Sequence, residues 1–271
     1  ASALKRREPK FEVYPFIDSQ TYDVFSQSVL VGEGFGGAKI PQRPLYIVFL
    51  TLAHVLVGQN YDDVIAFQTL FFAFFPVLLY FFGKQFFGRP VGISIALLAI
   101  LRDYTSNSVS PFTGNLSYSK LYLSEIPTAI FLLLFLIAAM RWIKTGFPVF
   151  SGFLLGGILG MAMLIRTQVI VAVPVIILFA LLAEPKRFTA LLKSMAVMFV
   201  TIVLVVSPWL WRNWHLTGAI IFDSPESQTA NLALRYSRLN GIEPNIQPLP
   251  GESNFDYSDR LKKTAVDAIL A

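Results

Sequence analysis

The chain has 271 residues and no cysteine. Disulfides and thiolate metal sites are therefore excluded, and redox chemistry gives no indication of compartment. Its two histidines, His54 and His215, stand far apart and outside any H-E-x-x-H pattern, so zinc is unsupported. Charge is also scarce. Asp, Glu, Lys and Arg make up 14% of the chain, against about 25% in a soluble globular protein. The first ten residues are polar and basic and lack the apolar core of a signal peptide. No basic stripe interleaved with aromatics occurs on a polar segment, so the net charge of +5 does not mark a nucleic-acid surface.

What the chain does have is apolar length. Hydrophobic residues make up 55% of it, and mean hydropathy is +0.59. Phe is abundant at 25, with 4 Trp and 10 Tyr, as a lipid-facing chain with interfacial belts requires. Runs at 64–82, 126–140, 169–183 and 196–208 carry hardly a charge. Each approaches the ~17–25 residues with which a helix crosses a bilayer. The pattern predicts an all-α polytopic membrane protein with spans at 64–82, 91–101, 121–140, 150–165, 168–183 and 190–209, about six in number. The span at 91–101 is short unless its flanks extend it. The stretch 45–57, opened by Pro44, is expected to lie at the interface or to re-enter the membrane. Three regions follow: a first outer loop with juxtamembrane helices at 1–63, a helix bundle at 64–209, and a soluble segment at 210–271.

The charges orient this scheme. Lys84 and Arg89 share one loop, Arg141 and Lys144 another, and Lys186, Arg187 and Lys193 a third. Alternation puts all three on one side, and the positive-inside rule makes that side cytoplasmic. The opposite, exoplasmic side then receives 1–63, the polar loop 103–120, the turn at Arg166 and everything after Pro208. No targeting segment places the N-terminal part there, and 259–271 stops within a helix-like stretch. The chain is therefore expected to be part of a longer protein, with a transmembrane helix upstream.

Several motifs have ordinary readings. Gly32-Glu33-Gly34-Phe35-Gly36-Gly37 matches G-x-G-x-x-G, but Pro41 and Pro44 follow in a polar stretch, so a turn is expected rather than a nucleotide site. Gly152, Gly156 and Gly160 recur every four residues, with Gly157 beside them, which suits close helix packing. Asn115-Leu116-Ser117 is a glycosylation sequon on an outer loop.

The outer-face charges are less ordinary. Glu125 opens an otherwise uncharged span, where a carboxylate is costly and usually lines a polar cavity. Arg166 stands between two apolar runs and needs a carboxylate or a phosphate as partner. Asp18 precedes an amphipathic stretch, where it could cap a helix or act as a base. Glu125 has a structural alternative too, as a first-turn residue complementing the helix dipole. Asp103, Arg102 and Lys120 fall on the same face. Carboxylates able to deprotonate an acceptor, beside cations able to hold a phosphate, suit group transfer from a lipid-linked phosphate.

Those residues resemble a known family. The run Asp18-Ser19-Gln20-Thr21-Tyr22, then Gly32-Glu33-Gly34-Phe35, then Arg43-Pro44-Leu45-Tyr46 resembles the first outer loop of GT-C glycosyltransferases. The likeness is to the group related to dolichyl-phosphate-mannose-protein mannosyltransferases and lipid A aminoarabinose transferase. Phe86-Phe87-Gly88-Arg89, Leu123-Ser124-Glu125, Leu164-Ile165-Arg166 and Ser207-Pro208-Trp209-Leu210-Trp211-Arg212-Asn213-Trp214 keep the family order. Two positions depart from the pattern: Thr167 follows the outer-face Arg where Pro is common, and Ser19 stands where an acidic neighbour is frequent.

The resemblance implies a polyprenyl-phosphate sugar donor, an exoplasmic active site in a bacterial cytoplasmic or ER membrane, and a catalytic Asp at Asp18. Glu125 would support it, with Tyr22 and Asp103 as additional candidates. Arg166, Arg102 and Lys120 would hold the donor phosphate. A divalent cation, magnesium or manganese, would fall to Asp18 and Glu125 if one is used. The acceptor would be a lipid, a glycan or a protein. The competing reading is a transporter or flippase of lipid-linked intermediates, which predicts inverted repeats and mid-membrane polar residues.

Overall fold

The computed structural model describes residues 6–7, 12–13, 18–37, 40–113, 121–223, 225–247 and 249–270. The fold is all-helical apart from a two-residue antiparallel ladder, β1 (Arg6–Arg7) against β2 (Glu12–Val13). The chain forms two compact units. The first runs to Pro208; the second runs from Trp209 onward and also takes Ile40–Gln42. Among the described residues, three helices are long and apolar enough to cross a membrane: Tyr61–Phe87, Glu125–Lys144 and Pro185–Thr217. Pro44–Val57, Val149–Ile165 and Thr167–Ala183 are apolar but shorter. Large apolar side chains such as Leu52, Leu70, Phe81, Phe179 and Leu204 are exposed along these helices. A water-soluble protein rarely shows so continuous an apolar surface, and the pattern is compatible with a membrane protein.

In the first unit, α1 (Asp18–Leu30) runs beside α2 (Pro44–Val57) in the same sense, with Tyr22 against Tyr46 and Asp23 against His54. Pro44 starts α2 well, because a first-turn residue needs no N–H partner. The expected single span at 64–82 is instead broken at Ala73 into α3 (Tyr61–Phe72) and α4 (Phe74–Phe87). The cause is local: Pro76 has no N–H to donate to the carbonyl of Phe72. Asn60 caps α3, its side chain accepting from the N–H of Asp62 at 3.0 Å.

After Gly88 the chain reverses into α5 (Arg89–Thr113). This helix is far longer than the apolar run 91–101 and replaces much of the expected polar loop. No Gly or Pro interrupts 93–110, and each residue added to an existing helix contributes a backbone hydrogen bond. The glycosylation sequon at Asn115 lies outside the described residues. The chain resumes into α6 (Glu125–Lys144), α7 (Val149–Ile165), a 3-10 turn (Thr167–Val171), α8 (Ala172–Ala183), a second 3-10 turn (Pro185–Arg187) and α9 (Phe188–Thr217). Here α9 continues past Trp209, where the apolar run ends. Pro208 is accommodated inside it: the carbonyl of Leu204, which Pro208 cannot serve, accepts the Ser207 hydroxyl at 2.9 Å.

Glycines set the closest approach. An added Cβ at Gly152 would stand 2.4 Å from the Ser194 carbonyl oxygen, and one at Gly156 2.4 Å from that of Met198. At Gly160 it would meet Val205 at 2.8 Å, whereas at Gly157 it would meet nothing. The four-residue spacing thus lays α7 directly on α9, and the matching order of contacts makes the two helices parallel. Trp142 of α6 donates to Ser194 Oγ at 2.7 Å, and that hydroxyl donates to the Pro148 carbonyl at 3.2 Å. The turn at Gly146 lies against the Arg187 guanidinium, so the basic turns after α6 and after α8 share one end of the unit.

In the second unit, Trp209 Nε1 and Asn213 Nδ2 donate to the carbonyls of Phe222 and Ile221, at 2.8 and 3.0 Å. These bonds fold the chain back after Gly218. Helices α10 (Pro225–Leu239) and α11 (Asn254–Leu270) pack through Ala233, Leu261 and Ala265. Arg260 holds Glu252 with two bonds, Nε–Oε1 at 2.7 Å and Nη2–Oε2 at 2.9 Å, and donates to the carbonyls of Asn245 and Gln247. That fork, with the Leu249 N–H, lowers the Glu252 carboxyl to about 2.

Candidate functional site

Two ion pairs stand at one end of the first unit. Arg166, just past the end of α7, is extended at φ −150° and turns its side chain to the start of α6. Its Nη2 donates to Glu125 Oε1, and its Nε donates to Ser124 Oγ at 3.2 Å. Ser124 is fully buried, and Glu125 and Arg166 are half-buried. The second carboxylate oxygen of Glu125 is buried and has no hydrogen-bond partner. As the first residue of α6, Glu125 also complements the helix N-terminus.

Asp18 is paired elsewhere. It is the first residue of α1, half exposed, with Oδ2 3.8 Å from Arg43 Nη1. Arg43 also lies over the Tyr22 ring, 5.1 Å from its centroid. Its backbone is left-handed, at φ 63° and ψ 54°. A residue before proline is pushed out of the right-handed helical region, and a left-handed non-glycine costs about 1–2 kcal/mol. Arg43 therefore holds a strained conformation that faces its side chain toward α1. It was not among the sequence candidates, although it stands in the motif Arg43-Pro44-Leu45-Tyr46.

An apolar groove of about 500 Å³ lies nearby; none of the four charged residues lines it, but sequence neighbours of three of them do. Leu45 and Tyr46 line it two and three residues after Arg43, Pro127 lines it two residues after Glu125, and Ile165 lines it just before Arg166. Phe71, Phe74 and Leu134 carry its walls away from this charged end. Tyr22, Tyr46, Tyr122 and Ile165 belong to one buried cluster, which fixes α1, α2 and the start of α6 together. Burial holds the Tyr46 phenol well above its ordinary value; Tyr122, Tyr61 and Glu125 add to the rise and Arg43 opposes it.

The other candidates fall elsewhere. Arg102 and Asp103, on α5, line a separate cavity of about 640 Å³ with Ile126, Tyr80 and Thr69. Ile126 follows Glu125 directly, so this cavity too reaches the start of α6. Lys120 lies outside the described residues. Tyr22 is buried and packs edge-on against Tyr46 at 5.4 Å between centroids, so it supports the site rather than facing a ligand. The loop with Gly32, Gly34, Gly36 and Gly37 is a turn, with positive φ at all four glycines. Sequence reading took His54 as isolated, yet its Nε2 lies 3.0 Å from Asp23 Oδ1, 31 residues away, and its Nδ1 lies 3.1 Å from the Gly58 carbonyl.

A divalent cation does not fit this donor set. Asp18 and Glu125 each face a guanidinium rather than each other, and among the described residues no three metal-ligating side chains converge. What the arrangement can do is hold an anion. Each of two guanidinium groups, next in sequence to residues at or near an apolar groove, is neutralised by a carboxylate that an incoming phosphate could displace. Compared with known proteins, the chain matches no family model, no curated protein and no solved structure.

Proposed function

We propose that the chain is a membrane glycosyltransferase of the GT-C type, moving a sugar from a polyprenyl-phosphate donor to an acceptor on the exoplasmic side. The observation that carries this reading is the Arg166–Glu125 pair, one residue from Ile165 and two from Pro127, which line the apolar groove. A donor with a long apolar tail and a phosphate head needs that combination: a water-free channel ending at a cation.

The tail lies in the groove and the phosphate meets Arg166, with Arg43 on the opposite rim. The Asp18 carboxylate takes the proton from the acceptor hydroxyl or amine. That atom bonds to the sugar's anomeric carbon as the carbon–oxygen bond to phosphate breaks. The released polyprenyl phosphate carries the extra negative charge, and the guanidinium groups stabilise it as it develops. Glu125 holds Arg166 in place until phosphate arrives.

In this reading six helical segments cross the membrane: α3–α4, α5, α6, α7, α8 with its preceding turn, and α9. Helix directions support it. Tyr61 packs on Tyr122 and Gln68 on Leu121, so α3–α4 and α6 start at one end, and α7 and α9 run parallel. Alternation requires both relations. The transporter reading predicts charge in a broken helix; Phe72, Phe74, Phe75 and Pro76 at the α3–α4 break carry none, and the buried Gln68 amide lies one turn before Phe72. The test is transfer from a radiolabelled polyprenyl-phosphate sugar by the purified full chain in lipid. Product formation sustains the reading. Donor movement across vesicles with no transfer would replace it with the flippase.

A further inference from the structure

Gln68 is fully buried within α3, whose residues after Asp63 are mostly apolar. A buried amide in such a place must be hydrogen-bonded or it destabilises the helix that carries it. Its Oε1 accepts the Tyr46 hydroxyl at 2.6 Å, and its Nε2 donates to the Leu121 carbonyl at 2.9 Å. Those two partners lead to the two halves of the site. Tyr46 lies three residues after Arg43 and packs on Tyr22, one helical turn after Asp18. Leu121 opens the short segment ending in Ser124 and Glu125, both bonded to Arg166. One side chain therefore ties α2 to the lead-in of α6, across 22 residues on one side and 53 on the other.

We propose that Gln68 is a positioning residue that fixes the separation between the Asp18–Arg43 pair and the Glu125–Arg166 pair. It acts through Tyr46 and Leu121. The inference rests on the proposed function for its catalytic consequence, but the separation itself can be measured without activity. An amide serves here because it accepts on one side and donates on the other, from one rigid plane. Leucine offers neither function, and a carboxylate offers only acceptance.

The absence of cysteine makes the test direct. Spin labels at Gln20→Cys on α1 and Gln168→Cys beyond Arg166, both exposed sites, report the distance between the two halves. In the otherwise unaltered chain in lipid the distance distribution should be narrow. Gln68→Leu should broaden or displace it, and should lower kcat about 10- to 100-fold with a smaller change in donor KM, as expected for misplaced reacting groups. Gln68→Glu guards against mere misfolding. A protonated carboxyl can accept from Tyr46 and donate to Leu121, so the narrow distribution should return at acid pH and vanish as the pH rises, while Gln68 itself shows no such dependence. Burial favours the protonated form and brings this change into the accessible range. An unchanged distribution in Gln68→Leu, or a pH-independent one in Gln68→Glu, overturns the proposal. Distances that behave as expected in a chain inactive in every form would sustain the positioning role and sink the glycosyltransferase reading alone.

Discussion

Arg166 and Glu125, 41 residues apart in sequence, share a hydrogen-bonded ion pair that joins the end of α7 to the start of α6. The pair lies next in sequence to Ile165 and two residues from Pro127, both lining the apolar groove, and most of the functional expectations depend on it.

Replacing Arg166 by Ala should raise the donor KM by about tenfold or more, since a charge-assisted bond to phosphate is worth more than an ordinary one. It should also cost about 1–3 kcal/mol of stability, because Glu125 keeps a half-buried carboxylate without its partner. Donor titration and thermal unfolding in detergent read the two effects separately. A variant with wild-type donor KM would remove Arg166 from the phosphate site.

Asp18→Asn should reduce kcat about 10²- to 10⁴-fold, the usual loss when a general base is removed. Stability should change little, because Asp18 is half exposed and its contact with Arg43 is 3.8 Å long. Wild-type turnover in this variant would leave Asp18 as a helix-end residue only.

Gly156→Ala and Gly157→Ala make a matched pair. The first puts a methyl group 2.4 Å from the Met198 carbonyl oxygen, and α7 and α9 must part to admit it. A loss of about 1–3 kcal/mol is expected. The second meets empty space and should be neutral or stabilise by about 0.5–1 kcal/mol, because a mid-helix glycine is entropically unfavourable. Equal melting temperatures would contradict the backbone contact.

The Glu252–Arg260 fork gives the second unit a pH dependence of definite sign. The folded carboxyl titrates at about 2, below the ~4.3 of an unperturbed Glu. Its stabilisation is therefore complete above the unfolded value and is lost as the pH falls toward 2. The Leu261 methyl resonances, buried between α10 and α11, should hold to about pH 4 and broaden below it. Glu252→Gln should abolish that dependence while weakening the packing at neutral pH.

Single cysteines at Lys144 and at Gln168 should label from opposite sides of a sealed vesicle. Labelling of both from one side would dismantle the alternation of helices.

Parts of this arrangement were legible in the sequence because the physics is local. Glu125 and Arg166 stood out as lone charges bordering apolar runs, and the glycine spacing on α7 announced a close approach without naming α9 as its partner. Other parts depend on the fold. The Asp23–His54 pair and the Tyr46–Gln68–Leu121 connection join residues that nothing in their own neighbourhoods relates. The extension of α5 was hidden because its second half is polar, and apolar periodicity was the signal in use. Arg43 went unremarked because an arginine before a proline in a loop is ordinary until its backbone angles are known.

The length of α7 has a consequence for the surrounding lipid. Its 17 residues span about 26 Å, less than the ~30 Å hydrocarbon thickness of a typical bilayer. Its glycine-to-backbone seam with α9 prevents it from sliding to compensate. If α7 crosses the membrane as proposed, Arg166 is held slightly below the level of the surrounding headgroups, and the bilayer must dip to meet it. The local membrane would be thinned on one side, and acyl-chain length would become a control on how readily a phosphate headgroup reaches the guanidinium.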